Sequence, residues 1–237
     1  MDFRKSKTYD PEFLKANMMG PNAMKVLEEL AESLNFGQGM RVLDLGCGKG
    51  LTSIFLAKEL GVTVFATDLW ITATENYERF REMGLDGSIV PIHAEAHELP
   101  YADEFFDAMV SIDAYHYFGV EEDYLDKHLA PLVKKGGQIA IAVPGLKYEF
   151  GDEVPEEMKP FWVEDMATTL HSLEWWHELW SRSDAVEIRE SAEMTCCAEA
   201  WRDWLPCDNE YARHDIEMMK AEGGHYFNMV SIVAVKK

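Results

Sequence analysis

Glycines at 46, 48 and 50 follow the apolar run Val42-Leu43-Asp44-Leu45 and carry the strongest chemical signal in this chain. Such a loop lets the backbone bend tightly and approach a ligand that side chains would exclude. Its spacing separates it from related loops. A dinucleotide loop of form GxGxxG needs its third glycine at 51, where Leu51 stands. A phosphate-gripping loop ends in Gly-Lys-Ser/Thr, whereas Lys49 is followed by Gly50. Asp44 places negative charge beside a helix N-terminus, which disfavours a pyrophosphate and suits a ligand with a cationic amino group and a sulfonium. Asp68 ends the second strand, about one βα unit later, where an acid can accept both ribose hydroxyl hydrogens. Leu69 and Trp70 follow it and offer apolar faces to a purine. A plain glycine turn, and a helix-capping role for Asp68, are the structural alternatives.

These two strands and their loops resemble the class I S-adenosylmethionine-dependent methyltransferases. The family's hallmark is a D/E-x-G-x-G-x-G loop followed by an acidic end to strand two. The likeness continues through Glu95-Ala-His-Glu-Leu-Pro-Tyr-Ala-Asp-Glu-Phe-Phe-Asp107. That stretch is similar to the D-A-x-x-L-P-F…F-D segment of the small-molecule branch, which includes quinone and sterol methyltransferases. In the family the acid and its neighbours contact the adenine, which implies Glu95, Ala96 and His97 here, with Glu95 in place of the usual Asp. Ser111-Ile-Asp-Ala-Tyr-His-Tyr-Phe resembles the segment after strand four that lines the methionine moiety and the acceptor. The likeness spans about residues 40–145.

The resemblance thus implies S-adenosyl-L-methionine as cofactor and S-adenosyl-L-homocysteine as its product. Around the cofactor it places Asp44, Gly46, Cys47, Gly48, Gly50, Asp68, Leu69, Trp70, Glu95, Ala96, His97 and Ser111. It also implies an N-terminal segment folded over the cofactor, with Tyr9 and the run Met18-Met-Gly-Pro-Asn22 as candidates.

Methyl transfer from a sulfonium needs nucleophile, methyl carbon and sulfur in line, so alignment and exclusion of water supply most of the catalysis. A protonated hydroxyl or amine acceptor also needs a base of near-neutral pKa. His116, on the turn after strand four, is the candidate base, and Tyr115 and Tyr117 are candidates to orient the acceptor. Trp176 and Trp180 share a helix face at i, i+4, as Trp201 and Trp204 do at i, i+3. Such stripes are commonly core, but facing the cofactor they would form an aromatic cage for a flat or cationic acceptor. Two other functions compete: a nicotinamide-dependent oxidoreductase, and a nucleoside-binding protein of the same fold without catalysis.

The elements that must position these residues alternate in type. An amphipathic helix runs from Asn22 through Leu34, and RVLDLG reads as a buried strand. A helix over 51–60, a strand over 62–68 and a helix over 72–83 follow. Strands are expected at 88–92, 106–112 and 138–144, with a helix over EEDYLDKHLAPLV between the last two. Residues 145–172 show no period and read as an inserted loop or cap. Beyond them come the helix SLEWWHELWSRS, the strand AVEIRESAEM, a helical stretch from CAEAWRDWL to about Lys220, and a strand at 227–235. The pattern predicts an α/β fold: a Rossmann-like, seven-stranded, mostly parallel sheet with helices on both faces and a C-terminal helical and loop cap. As one domain it divides into an N-terminal lid (1–36), a cofactor core (37–144), substrate-side insertions (145–226) and a final strand (227–237).

The chain has 237 residues, a length that suits one domain. Its 22 basic and 43 acidic residues leave a net charge of -21. That field repels phosphate backbones and anionic lipid, which points to a small-molecule substrate and away from nucleic acid and membrane. No apolar stretch approaches the ~20 residues of a membrane span, and the N-terminus lacks a signal-peptide core. Cys47, Cys196, Cys197 and Cys207 show neither metal-finger nor secreted spacing, so reduced thiols in a cytoplasm are expected and no metal. Thiolates of Cys196, Cys197 and Cys207 on a soft metal or metalloid are the sharper alternative.

Overall fold

A computed structural model describes residues 2–151 and 153–237. Met1 and Asp152, which fall in the expected lid and the expected loop after strand five, lie outside the described residues. The described strands form one seven-stranded sheet in the order β3-β2-β1-β4-β5-β7-β6. They are β1 (Arg41–Leu45), β2 (Thr63–Asp68), β3 (Ile89–His93), β4 (Phe106–Ile112), β5 (Val133–Leu146), β6 (Val186–Glu193) and β7 (Phe227–Lys236). The first five run parallel, and β7 lies antiparallel between β5 and β6. The strand order reverses between β1 and β4, which opens a crevice at their carboxyl ends, the usual ligand position of such sheets.

Apolar cores form on both faces because the central strands are buried along nearly their whole length. Val42, Ile54, Phe55 and Val64 belong to one core; Leu43, Met109, Tyr115, Trp176 and Trp180 belong to the other. Helix α3 (Leu51–Leu60) begins at Gly50 and ends at Gly61, both left-handed. Helix α4 (Ala73–Glu82) starts on a capping box, in which Thr72 accepts from the Glu75 N–H and Glu75 accepts from the Thr72 N–H. The N-terminal helices are α1 (Pro11–Asn17) and α2 (Ala23–Leu30), the second capped by the Asn22 side chain. After β5 come α5 (Glu164–Thr169), α6 (Leu173–Ser181), α7 (Cys197–Trp204) and α8 (Glu210–Glu222).

The fold differs from the sequence expectation in three places. The helix expected over EEDYLDKHLAPLV shrinks to a π-helical turn at Leu125–Leu129 and a 3-10 turn at Ala130–Leu132. Pro131 lacks an N–H and ends helical pairing there. Strand β5 begins at Val133 rather than 138, through an irregularity in its pairing with β4 between Phe106 and Ala108. The single helical stretch expected from 197 to about 220 is two helices, broken around Pro206 before Asn209 caps α8.

Candidate active site

The turn after β1 is tied to the end of β2, since Gly46 and Cys47 donate their N–H groups to the Thr67 carbonyl at 2.8 and 3.1 Å. Gly46 has φ +74°, and a Cβ there would lie 2.3 Å from the Ala114 Cβ. Position 46 therefore admits no side chain, because the loop passes directly against the turn after β4. Gly48 donates to Asp68 Oδ2 at 2.7 Å, and Trp70 and Ile71 donate to Asp68 Oδ1 at 2.8 Å each. A carboxylate offers about four acceptor positions, so roughly one is left for a hydroxyl from the cavity, where two were expected.

A cavity of about 260 Å³ opens at this point. Its wall includes Gly46, Cys47, Gly48, Asp68, Leu69, Trp70, Glu95, Ala96 and His97. Trp70 is 64% exposed, an unusual state for so large an apolar ring, and it flanks the cavity mouth beside Tyr117, ring centroids 5.3 Å apart. Glu95 accepts from the His97 N–H and pairs with His97 Nδ1, both at 2.8 Å. The Glu95 hydrogen bond raises the His97 pKa, because the carboxylate favours the protonated ring.

Three of the expected cofactor residues stand off this wall. Asp44 is fully buried beneath the loop and accepts from Thr52 Oγ1 at 2.6 Å and Ser53 Oγ at 2.5 Å, while its Oδ1 has no partner. Burial pushes its pKa up to about 6 against the pull of those two hydroxyls. Asp44 thus holds the start of α3 from below and does not line the cavity. Ser111 donates to the Leu45 carbonyl at 2.7 Å and joins β4 to β1 inside the sheet. Gly50 opens α3 against Phe80, whose ring a Cβ would meet at 2.4 Å.

The N-terminal segment forms one side of the cavity. Asn17, Met18, Met19, Gly20 and Pro21 all line it. Tethers fix this lid: Arg79 donates to Asn17 Oδ1 at 2.9 Å, Lys49 to the Ala16 carbonyl at 3.0 Å, and Asn22 to Asp203 Oδ2 at 2.7 Å. Lys25 adds an ion pair with Asp203 at 2.8 Å. Tyr9, expected at the cofactor, is instead buried against Phe55 and donates to Glu59, because its ring completes the core under α3.

A second cavity, of about 840 Å³, adjoins the first and shares Met19, Gly20, Pro21, Lys49, Trp70, Asp113 and Tyr117 with it. His116 lines this larger cavity, yet it is 3% exposed and burial drives its pKa down to about 3. A ring so weakly basic is a poor match to the near-neutral base expected of it. Tyr115, Trp176 and Trp180 are core residues and line neither cavity: the Tyr115 ring centroid lies 5.8 Å from Trp176 and 5.7 Å from Trp180. The i, i+4 tryptophan face of α6 packs on the sheet, so that stripe is core, as such stripes commonly are, and the alternative of a cage at Trp176 and Trp180 does not hold. Trp201 and Trp204 do reach the larger cavity, and Trp204 donates to Asp215 Oδ2 at 2.7 Å.

The residue that sequence reasoning missed is Asp113. It follows β4, takes a left-handed φ of +56°, and lines both cavities. Burial, and then the nearby Asp215 carboxylate, raise its pKa to about 8. Gly20 of the lid passes so close that a Cβ there would lie 2.2 Å from Asp113 Oδ2. The available signal was an aspartate directly after a strand, a residue type that tolerates the left-handed region. Cys196 immediately precedes α7 and Cys207 lies in the break after it, both buried. Burial raises the thiol pKa of each, and that of Cys197 to about 11, so all three carry protons at neutral pH. Among the described residues no helix is long and apolar enough to cross a membrane.

Residues 42–137 match the family model described as "Methyltransferase domain". Methyltransferase GfsG of Streptomyces halstedii is 26% identical over 190 residues, covering 79% of this chain and 68% of that protein. Sterol 4-C-methyltransferase strm-1 of Caenorhabditis elegans is 26% identical over 184 residues, 76% of this chain but 49% of its own length. Among solved structures, phosphoethanolamine N-methyltransferase 2 of Haemonchus contortus with S-adenosyl-L-methionine superposes with a TM-score of 0.73 at 21% identity, over 99% of this chain and 59% of that one. The chain thus spans between half and about two thirds of these relatives. With this domain match, these relatives and this fold, the chain is similar to the class I S-adenosylmethionine-dependent methyltransferases.

Proposed function

We propose that this enzyme methylates a small-molecule acceptor, with the cofactor in the smaller cavity and the acceptor in the larger. One observation carries the reading: the two cavities meet at a common wall that includes Trp70, Asp113 and Tyr117. A donor and an acceptor approaching that wall from opposite sides meet in line. Sterol and phosphoethanolamine, for which two of the similar enzymes are named, are both small molecules.

The residues present suit the cofactor. The turn at Gly46 to Gly48 gives a backbone cradle, and Asp68 keeps an acceptor position for a ribose hydroxyl. Leu69 and Trp70 can cover a purine whose edge faces Glu95, Ala96 and His97. When bound, S-adenosylmethionine supplies a methyl group activated on a sulfonium. The chain aligns the partners and excludes water, the latter through the lid from Asn17 to Pro21. In this reading 1–36 form the lid, 37–144 the cofactor core and 145–226 the acceptor side, before the final strand at 227–237. The charge of -21 favours a small acceptor over nucleic acid, and four free thiols suit the cytoplasm.

Titration calorimetry with S-adenosylhomocysteine tests the cofactor site. Saturable binding is expected, weakened roughly 10- to 100-fold in Asp68→Ala, the effect of losing a charge-assisted hydrogen bond. Wild-type affinity retained by that variant, or equal affinity for NADH, would count against it.

A further inference from the structure

The larger cavity has a wall whose chemistry methyl transfer in general does not require. Asp113, Asp165 and Asp215 line it together with the rings of Trp70, Tyr117, Phe161, Trp201 and Tyr211. Lys49 is a basic group on the same wall, but its ammonium donates to the Ala16 carbonyl of the lid. Carboxylates among aromatic faces attract an organic cation and repel a phosphate-bearing one. A separate observation also points to a ligand. Asn228, 5% exposed, lines this cavity with both its amide oxygen and its amide nitrogen unpartnered. His116 on the same wall leaves Nδ1 unpartnered. Buried polar atoms without partners are costly, so they suit a wall that a hydrogen-bonding ligand completes.

We propose that this cavity binds an organic amine as its ammonium ion, between Asp113, Asp215 and the aromatic wall, and that Asp113 takes the N–H proton before the nitrogen is methylated. The proposal rests on the methyltransferase reading above and names the acceptor class. The arriving ammonium first displaces the Asp113 proton to solvent; in the proton step an N–H bond of the ammonium then breaks, an O–H bond forms on the Asp113 carboxylate, and the nitrogen regains its lone pair. That pair then forms the N–C bond as the C–S bond breaks, and its electrons stay on sulfur as a neutral thioether. Asp113 stands where both cavities meet, so it reaches the acceptor nitrogen at the point of transfer. Burial and Asp215 raise its pKa to about 8, within reach of an ammonium proton. The groups that titrate around Asp113 are Asp215, Asp165, Tyr117, Tyr211, His116 and His214, with Lys49 at the edge.

The test is calorimetry at pH 7 on protein saturated with S-adenosylhomocysteine, using phenethylamine and its neutral counterpart 2-phenylethanol as probes. The amine is expected to bind at least tenfold tighter than the alcohol. Asp215→Asn should lose that preference, with thermal midpoint and S-adenosylhomocysteine affinity as folding controls. Repeating the titration in two buffers of different ionisation enthalpy counts protons. Ammonium binding should release up to one proton from the wild type and none from Asp113→Asn. Equal affinity for the two probes with S-adenosylhomocysteine still bound overturns the amine reading alone, and unchanged proton release in Asp113→Asn overturns the role of Asp113. Failure to bind S-adenosylhomocysteine overturns the methyltransferase reading and this inference with it.

Discussion

At the scale of single residues, the buried His116 and the partly buried Asp113 respond to pH in opposite directions. His116 is held neutral by burial, its pKa down to about 3. The unfolded chain takes up that proton near the ordinary 6.5 and the folded chain does not, so stability is lost as pH falls from about 6.5 toward 3. His116→Gln should flatten this part of a denaturation-against-pH curve, and an unchanged acid limb would show that His116 is not so buried. Asp113 has the reverse sign. Folded, it keeps its proton to about pH 8, while the unfolded chain releases it near 3.8, so its contribution falls as pH rises through that window. Asp113→Asn is therefore expected to gain on the wild type progressively as pH rises from about 4 to about 8, and to keep that gain above it, in the same measurement. Gly46→Ala makes a third case: it demands a left-handed alanine, on the order of 1–2 kcal/mol, besides the clash with Ala114. A lower denaturation midpoint together with lost S-adenosylhomocysteine binding is the expected result. These residues were unequally legible from sequence. Gly46 and Asp68 announce themselves by type and spacing, whereas the role of Asp113 depends on a lid residue far away in the chain, Gly20, and on Asp215 across the cavity.

At the scale of elements, the lid is held by α7 as much as by the cofactor loop. Asn22 caps α2 and donates to Asp203, and its own N–H donates to the Ala200 carbonyl at 3.1 Å. Asn22→Ala should cost about 1 kcal/mol for the cap and hasten cofactor dissociation. Stopped-flow release of S-adenosylhomocysteine would read the second effect, and an unaltered off-rate would mean that the lid does not gate the cavity. Helix α3 and strand β4 have the bounds that hydrophobic period predicts, because each is buried over most of its length. The misread elements have competing local signals. Pro131 and Pro206 cut helical patterns that the charges and apolar spacing would otherwise continue. Trp176 and Trp180 illustrate a different limit. An i, i+4 stripe states that a face is buried, and only the sheet beneath α6 decides that it is core and not cavity wall.

At the scale of the whole molecule, the surplus of acidic residues repels itself, with a charge of -21. Raising salt from about 0.02 M to about 0.5 M should therefore lift the thermal midpoint by a few degrees, since screening shortens from ~20 Å to a few Å. A midpoint that falls with salt would show that attractive surface pairs outweigh the repulsion. The sheet order is what makes two cavities out of one crevice. Loops leaving β1 and β4 diverge at the reversal point and hold Gly46 and Asp113 on neighbouring turns, while the segment from Phe161 to Leu170 and the helices α7 and α8 roof the acceptor side. That roof was the least legible part, since its residues follow no period and pack as a small separate cluster around Phe150 and Met158. The most direct test of the whole account is a crystal structure of this chain with S-adenosylhomocysteine. The account predicts adenosine between Asp68, Trp70 and Glu95 to His97, with the sulfur opening onto the larger cavity beside Asp113. A nucleoside seated in the larger cavity, or a sulfur turned away from Asp113 and Tyr117, would contradict it.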